Sequence, residues 1–550
     1  MPTSQNTVAQ LTRRAFLRQS TFALAGGLTA ASLPNLIFHP LKNETLPAQP
    51  NILLIITDQE RYPQYWPTGW ADANLLQRKR IRDHGITFTQ AFCNSAMCTP
   101  SRSTLFTGLY PPQTGAIATL AYENNANALA QPYLQPWVQN MAHMLNLQGY
   151  YVAYKGKWHL SKHSDGLAPD ANDVLRYGFH DWDAPDAGDD TAMTGFGGGC
   201  AANDLRYKND AVNFLNTTAV DLHQSPGGRR PFALIVSLVN PHDLLSYPRT
   251  WDDDSGQSCS YTNVSVGIDI QLSAISTRNE NLATNNKPTC QSECLTMLAA
   301  GLGTLNNDAE RLKYINFYAY LQKQVDVYIG EILDALQGGT IPGTDHIDLT
   351  AQTVIVRTSD HGEMGLSHGG LRQKMFNAYE ETIHVPLEFS NPILFPTPQT
   401  TNSLASLVDV MPTLHALAHV ESNAFHFSGN SLLPIFSNPA AKVQDEILFV
   451  FDDEDAGAPG APEVVHQPNH IRCIRSENFK YVRYFDPGGT AAPQYEFYAL
   501  GSGGDPTEYT NYINQPTYTS EQAAMAARLA VLESEKLLPM NNIFLPTLKK

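Results

Sequence analysis

The stretch Asn51-Ile52-Leu53-Leu54-Ile55-Ile56-Thr57-Asp58-Gln59 decides the fold class. Its apolar run is unbroken, which is the pattern of a parallel β-strand covered by helices on both faces. The run ends in a carboxylate and a carboxamide. In open α/β sheets, ligands bind beyond the carboxyl ends of the strands. The stretch therefore predicts an α/β sheet that presents Asp58 and Gln59 at a binding edge.

Other apolar runs behave in the same way and end in chemically capable residues. They are Tyr151–Tyr154 before Lys155-Gly156-Lys157-Trp158-His159, Phe232–Val239 before Asn240-Pro241-His242-Asp243, and Thr353–Arg357 before Ser359-Asp360-His361-Gly362-Glu363. Because parallel strands end at the same edge, we expect their acids, lysines and histidines to meet there. The sequence thus predicts one polar site assembled from distant parts of the chain.

The remaining chain divides by texture. Residues 250–305 are rich in Ser, Thr, Asn and Gly and interrupt the α/β pattern, as an insertion would. Helical spacing resumes from Asp308 to Leu336. After Pro439, short β-like runs at Ile471–Ile474 and Lys480–Phe485 precede an amphipathic helix from Ser520 to Leu538. We therefore predict a linker at 34–50, a catalytic α/β domain at 51–438 and a smaller C-terminal α+β domain at 439–550.

Composition narrows the function classes. The 550 residues are 42% apolar and 16% charged, which is typical of a globular chain with a large core. The formal net charge of −17 argues against nucleic acid or an anionic membrane as the main partner. Seven cysteines without a CxxC spacing indicate neither a disulfide scaffold nor a zinc knuckle.

The N-terminus predicts export. Thr12-Arg13-Arg14-Ala15-Phe16-Leu17 precedes a mildly apolar run from Phe22 to Leu33, which is too short to span a bilayer. The paired arginines followed by Phe-Leu resemble a twin-arginine (Tat) signal, so residues 1–33 are predicted to be a signal peptide read by the Tat translocon. The predicted location is periplasmic or secreted. In such a compartment, a loop disulfide from Cys259 to Cys290 or Cys294 is plausible.

The segment Cys98-Thr99-Pro100-Ser101-Arg102-Ser103-Thr104-Leu105-Phe106-Thr107-Gly108 resembles the signature of the sulfatase family. In that family the first cysteine is oxidised after translation to formylglycine. The resemblance extends to Gly156–Leu160, to Asp360-His361-Gly362-Glu363, to Lys374 with Tyr379-Glu380-Glu381, and to Tyr495–Leu500 near the C-terminus. It implies a formylglycine-dependent type I sulfatase, similar to arylsulfatases and choline-sulfatases, with an alkaline-phosphatase-like mixed sheet sandwiched by helices.

Residue types and resemblance agree on a metal site. Asp58, Gln59 and Asp360 offer hard oxygen ligands and His361 an imidazole, a set that favours Ca²⁺ or Mg²⁺ and leaves Mn²⁺ open. The family's usual ion makes Ca²⁺ the first choice. The family often has a second Asp at position 59 and Asn at position 361, so both substitutions bear on metal identity. Cys98, as formylglycine, completes the predicted ligand set.

The predicted reaction is hydrolysis of a sulfate ester to alcohol and sulfate. A formylglycine hydrate attacks sulfur with one hydroxyl, and its second hydroxyl then collapses to the aldehyde and expels sulfate. Pro100 indicates that Cys98 lies just before a helix N-terminus, whose amides face the anion. Arg102 is expected to pin the nucleophile and a sulfate oxygen. By resemblance, His159 is the base for the elimination, while His242 and Lys374 assist the departing alkoxide; Lys157 adds positive charge.

Two alternatives remain at this stage: a phosphonate or phosphate ester hydrolase of the same superfamily, and a non-catalytic exported binding protein. The expected partners are a small sulfate ester and a formylglycine-generating maturation enzyme; the oligomeric state is unknown. Some aromatic residues follow the first strand and either wall a pocket or anchor a loop: Tyr62, Tyr65, Trp66 and Trp70. His368, His466 and His470 are expected to lie outside the reacting centre, and Cys93 to pack as a small apolar residue.

Overall fold

The computed structural model describes residues 45–63, 66–187, 200–251, 261, 264–338, 347–422 and 424–538. The large sheet has seven strands in the order β4-β5-β1-β6-β7-β2-β8. Their bounds are β1 Asn51–Asp58, β2 Gly85–Phe88, β4 Tyr151–Gly156, β5 Phe232–Pro241, β6 Thr353–Ser359, β7 Leu387–Ser390 and β8 Gln399–Thr401. The strands β4, β5, β1 and β6 are mutually parallel, while β7 is antiparallel to both of its neighbours. The predicted mixed sheet is confirmed.

Helices cover both faces of this sheet. Those of seven residues or more are α1 Leu76–Asp83, α2 Cys98–Thr107, α3 Met141–Leu147, α4 Cys200–Asn216, α5 Thr289–Leu302, α6 Asp308–Leu336, α7 Val410–Leu417 and α8 Thr519–Lys536. Shorter helices span Trp70–Asn74, Pro111–Thr114, Ala126–Ala130, Ala171–Leu175, Thr218–His223, Glu380–Ile383 and Leu433–Ser437. Among the described residues, none of the helices is long and apolar enough to cross a membrane.

The alternation of side chains along β1 explains its unbroken apolar sequence. Ile52, Leu54 and Ile56 join the core formed with α2, α3 and α7. Leu53 and Ile55 point the other way and join a second core with α4 and α6. Every residue of β1 is buried. Since successive residues of a strand face opposite sides, a strand covered on both sides must be apolar throughout.

The C-terminal part adds an antiparallel sheet in the order β10-β11-β12-β13. Its strands are Glu446–Phe451, His470–Ser476, Phe479–Phe485 and Gln494–Ala499, and the remaining two strands, β3 (Ala91–Phe92) and β9 (Ala405–Ser406), form a small parallel pair. One face of the C-terminal sheet packs on α8 through Leu529 and Leu532. The other face joins the main core. From Leu46 onward the described residues therefore form one compact unit, and the boundary at 438/439 stays a prediction.

The predicted insertion contains a structured end. Helix α5 turns Cys290 and Cys294 into the main core, where both are free thiols. Cys259 lies outside the described residues. The bridge from Cys259 to Cys290 or Cys294 therefore stays a prediction.

Candidate active site

Four strand ends meet at one edge of the large sheet, as the sequence predicted. Asp58 ends β1, Lys157 follows β4, His242 follows β5 and Asp360 follows β6. All four side chains are fully buried. Lys157 Nζ lies 2.8 Å from Asp58 Oδ2, and His242 Nε2 lies 3.9 Å from Asp58 Oδ1. Residues up to about 300 positions apart therefore form a single buried group.

Cys98 lies at the centre of this group. It is the first residue of α2 rather than the residue before it, because Met97 takes the extended N-cap conformation. Its Sγ is 3.4 Å from His361 Nε2, 3.5 Å from Lys157 Nζ and 4.0 Å from His242 Nε2. The unpaired amides of the first helical turn add partial positive charge at this point. The thiol thus marks a position surrounded by donors and cations.

Arg102 lies one turn further along α2 and holds the two acids together. Its Nη2 donates to Asp58 Oδ2 at 2.9 Å and its Nε donates to Asp360 Oδ2 at 3.0 Å. Its Nη1 donates to Ser237 Oγ at 2.7 Å and to the Lys157 carbonyl at 2.9 Å. Four of its five donors are therefore committed to the protein, so its main role in this structure is to orient carboxylates.

The two carboxylates respond differently to the shared environment. Burial raises the pKa of Asp58, but Lys157, His242 and Arg102 outweigh it and hold that pKa well below its usual value. Burial, and then the nearby charge of Asp58, raise the pKa of Asp360. Two carboxylates this close repel each other unless a further cation lies between them. The pair consequently has the electrostatic character of a cation site.

The ligand atoms for such a cation are already assembled. Asp58, Cys98, Asp360 and His361 each offer one ligand atom, and these atoms all lie within 4.8 Å of one another. His361 Nδ1 is 3.1 Å from the Gly362 carbonyl oxygen, which can only accept, so Nδ1 carries the proton. The Nε2 lone pair then faces the other ligand atoms and can bind a metal. Two carboxylates and an oriented imidazole fit a divalent metal. The structure thus brings together four of the five predicted ligands.

Gln59, the fifth predicted ligand, adjoins this group. Its backbone lies in the left-handed region (φ 68°), and its N–H donates to Asp360 Oδ1 at 3.2 Å. Its side-chain Nε2 donates to Glu363 Oε2 at 2.6 Å, and its Oε1 accepts from Lys374 Nζ at 2.7 Å. The amide therefore links the predicted lysine at position 374 to the β1 and β6 strand ends.

His159 is held in the orientation that a base requires. Its Nε2 lies 2.8 Å from the Leu120 carbonyl and so carries the proton, while Nδ1 makes no other conventional hydrogen bond. The side chain of His159 also interacts with the Cys98 thiol. Asp186 fixes the loop by accepting from the backbone N–H groups of Trp158 (2.8 Å) and His159 (2.7 Å). Because Nε2 donates to the Leu120 carbonyl, Nδ1 is the ring atom that can take a proton at residue 98.

The field at residue 98 favours an anion. Burial and the charge of Asp58 both raise the pKa of the Cys98 thiol. Lys157, Lys374 and His159 lower it by more, so the pKa lies well below its usual value. In the same structure burial raises the pKa of the Cys93 thiol, only five positions away. The contrast separates a thiol in a catalytic setting from one that packs, as predicted for Cys93.

The peripheral candidates have structural partners. Tyr62 stacks on His384 at 4.1 Å, and Trp66 stacks on Trp70 at 4.2 Å, so these aromatic residues anchor their loop; Tyr65 lies outside the described residues. The three histidines expected to lie outside the reacting centre pair with acids: His368 with Glu280, His466 with Glu293 and His470 with Asp452.

Sequence reasoning missed several residues that support the site. Asp186 orients the His159 loop, and Glu363, which the sequence analysis quoted in a strand-end motif without giving it a role, orients Gln59. Ser237 accepts from Arg102, and its one sequence signal was a hydroxyl inside an otherwise apolar strand. Ser101 donates to the Asp360 carbonyl. Single acids in loops carry no local pattern, so no signal could have identified Asp186.

Comparison with known families places most of the chain. Residues 50–420 match the family model "Sulfatase", and residues 368–535 match the model "N-sulphoglucosamine sulphohydrolase, C-terminal". Arylsulfatase K of Gallus gallus is 25% identical over 84% of this chain and 79% of its own length. The choline-sulfatase of Rhizobium meliloti is 26% identical over 87% of this chain and 85% of its own length.

Solved structures share the fold. A 2-O GAG sulfatase superposes with a TM-score of 0.63 at 21% identity, covering 89% of this chain and 92% of its own. The phosphonate monoester hydrolase of Agrobacterium radiobacter has a TM-score of 0.60 at 20% identity, covering 89% of this chain and 96% of its own. At these identities the structural likeness concerns the alkaline-phosphatase-like fold alone.

Proposed function

The chain belongs to the sulfatase family of sulfuric ester hydrolases, and on that premise we propose that it hydrolyses sulfate esters with residue 98 as formylglycine. A divalent metal bound at the site assists, and Ca²⁺ is the preferred ion. The observation that carries the proposal is the convergence of Asp58, Asp360 and His361 on Cys98 within a buried, cation-rich group. A binding protein without catalysis would have no need for this combination of carboxylates, imidazoles and lysines around one nucleophile position.

The first step is attack on sulfur. One hydroxyl oxygen of the hydrated aldehyde forms a bond to sulfur, the bond between sulfur and the ester oxygen breaks, and the alcohol leaves with a proton. Lys157 and the amides of the first turn of α2 offset charge on the sulfate oxygens. His242 and Lys374 flank residue 98, and they protonate or stabilise the departing alkoxide.

The second step releases sulfate. Nδ1 of His159 takes the proton of the remaining hydroxyl, the carbonyl re-forms, and the bond between carbon and the sulfate oxygen breaks. Inorganic sulfate departs, and water rehydrates the aldehyde. A metal would be held by Asp58, Asp360 and His361, and it would supply Lewis-acid charge at residue 98.

The net charge supports a substrate class, and the N-terminal sequence supports a location. The net charge of −17 favours small aryl or alkyl sulfates, or single sulfated sugars, over highly sulfated polymers. Export by the Tat translocon to the periplasm or beyond, and conversion of Cys98 by a formylglycine-generating enzyme, complete the proposal. The signal lies outside the described residues. Its test is Arg13→Lys with Arg14→Lys, which should leave the protein in the cytoplasm; unchanged export would refute the assignment.

The reaction class is tested with matched esters. An aryl sulfate and the phenylphosphonate of the same phenol have the same leaving group, so their kcat/KM ratio reports which anion the site stabilises in the transition state. We expect the sulfate to be the better substrate, with Cys98→Ala inactive on both. A higher kcat/KM for the phosphonate would assign the chain to phosphonate hydrolysis instead.

A further inference from the structure

We propose that Glu363 is a positioning residue that sets the orientation of the Gln59 side-chain amide, and thereby turns the Gln59 oxygen toward Lys374, next to the metal site. The inference rests on the proposed function, since it concerns the same site. Glu363 is fully buried and is not one of the four residues that supply the assembled ligand atoms. It acts through Gln59.

One oxygen of Glu363 is saturated by protein donors. Its Oε1 accepts from the Tyr314 hydroxyl at 2.7 Å, from the Gln373 backbone N–H at 3.0 Å and from the Gly365 backbone N–H at 3.1 Å. These donors come from α6 and from both arms of the loop after β6. They fix the plane of the carboxylate, and Oε2 is left to accept from Gln59 Nε2 at 2.6 Å.

This contact decides which way the amide of Gln59 points. The oxygen and nitrogen of a carboxamide have nearly the same shape, so hydrogen-bond partners alone select the orientation. With Glu363 accepting from the nitrogen, the oxygen must face Lys374 Nζ, 2.7 Å away. The flipped amide would set its NH₂ group against the Lys374 ammonium and its oxygen against the Glu363 carboxylate. Both contacts would be repulsive.

The same carboxylate also fixes the partner of Gln59. Gln373, whose backbone N–H binds Glu363, directly precedes Lys374 in the chain. One buried acid therefore holds the amide and the segment that carries the lysine. A residue that serves only to fill the loop would need the contacts to Tyr314 and Gly365 but not the one to Gln59.

The first arm of the test is Glu363→Gln. Tyr314, Gly365 and Gln373 would donate to the oxygen of the introduced amide. Its NH₂ group would then face Gln59 and force the Gln59 amide to flip. We expect the affinity of the metal-free protein for Ca²⁺, titrated by calorimetry with the metal alone, to fall about 10- to 100-fold. Unchanged Ca²⁺ affinity in the folded variant would overturn the proposal.

The second arm exchanges donor and acceptor. Gln59→Glu combined with Glu363→Gln keeps the formal charge and every hydrogen bond, with position 363 now donating to position 59. The double variant should recover most of the Ca²⁺ affinity that Glu363→Gln loses. Recovery no better than the single variant would show that Glu363 is merely structural.

A cycle of thermal unfolding without metal separates this inference from the proposed function. Each single variant should lower the Tm of the metal-free protein, and the double variant should lower it by much less than the sum. This coupling does not depend on turnover or on metal. Additive losses would overturn the role of Glu363, whereas failure to cleave any sulfate ester would count against the proposed function and leave the coupling intact.

Discussion

Two buried groups of charge lie at opposite ends of the loop from residue 360 to residue 381, and they differ in whether their side chains converge on one point. The bracing cluster consists of Glu380, Arg475, Lys480 and Glu508. Lys480 Nζ lies 2.8 Å from Glu380 Oε1 and 2.6 Å from Glu508 Oε1, and Arg475 Nη2 lies 3.3 Å from Glu380 Oε2. Its two acids and two cations balance.

The catalytic cluster, defined as Asp58, Cys98, Arg102, Lys157, Asp360 and His361, also pairs its acids with cations, but its ligand atoms lie around Cys98 at longer distances. His361 Nε2 is 3.7 Å from an oxygen of each acid and 3.4 Å from Cys98 Sγ, which is beyond ordinary hydrogen-bond distance for the oxygens. The ligand atoms converge there with only the long contacts of the Cys98 thiol between them, 3.7 Å to Asp58 Oδ1 and 3.4 Å to His361 Nε2. Both clusters pair two acids with two cations, so burial and pairing of charge do not mark a functional site; the convergence of carboxylate, imidazole and thiol atoms on one point does.

The largest effect should follow from removing one ligand charge in the catalytic cluster. Asp58→Asn keeps the volume of the side chain but weakens the cation site, so kcat/KM for an aryl sulfate should fall by at least about 10³-fold. Elemental analysis should show loss of metal. The matched control is Lys157→Ala, which should keep the metal and lose turnover. Normal metal content in Asp58→Asn would contradict the assigned site.

The bracing cluster should respond in stability instead. Lys480→Met removes a fully buried cation and leaves Glu380 and Glu508 facing each other, which should cost about 3–5 kcal/mol of unfolding free energy. Denaturant unfolding measures this loss. The surviving folded fraction should retain a kcat close to that of the wild type. Wild-type stability, or a loss of kcat as large as that of Asp58→Asn, would erase the distinction between the two clusters.

A smaller effect should come from Asp453, a buried acid outside both clusters. Burial raises its pKa to about 7, and it accepts from the Thr119 backbone N–H at 2.7 Å. Since its pKa is higher in the folded than in the unfolded chain, the stability it contributes is present at low pH and is lost as pH rises from about 4 to about 7.

Asp453→Asn should remove that loss. The difference in Tm between the variant and the wild type should therefore shift in favour of the variant from pH 5 to pH 8, as measured by thermal unfolding at both pH values. Asp486→Asn is a matched control, because hydrogen bonds from Thr490 and neighbouring backbone N–H groups lower the pKa of this half-buried acid. Parallel pH profiles for the wild type and Asp453→Asn would show that Asp453 is not a buried acid of raised pKa.

Local pattern was sufficient for the framework. The apolar run Ile52–Thr57 gave a fully buried β1, and the spacing from Asp308 to Leu336 matched α6 at both ends. The C-terminal helix begins at Thr519 and ends at Lys536, within two residues of the predicted bounds. Each depends on burial against a neighbouring layer, continuous along β1 and periodic along the helices, which the sequence records directly.

Contacts between distant side chains could not be predicted in this way. The expectation that Arg102 binds a sulfate oxygen followed from its place in the motif, whereas its partners Asp58 and Asp360 depend on how β1 and β6 pair. The orientation of the Gln59 amide depends on Glu363, more than 300 positions away. Such choices are made by three-dimensional hydrogen-bond networks, for which no spacing rule exists.

The decisive measurement is sulfate release as a function of the fraction of residue 98 present as aldehyde. Preparations made with increasing amounts of a formylglycine-generating enzyme provide the range, and peptide mass spectrometry gives the fraction in each. Initial rates on an aryl sulfate, at saturating Ca²⁺, should rise in proportion to the aldehyde fraction and extrapolate to zero. Cys98→Ser, in a host that does not oxidise serine, should release at most about one sulfate per site. Full turnover by protein in which residue 98 is entirely unmodified cysteine would contradict the mechanism.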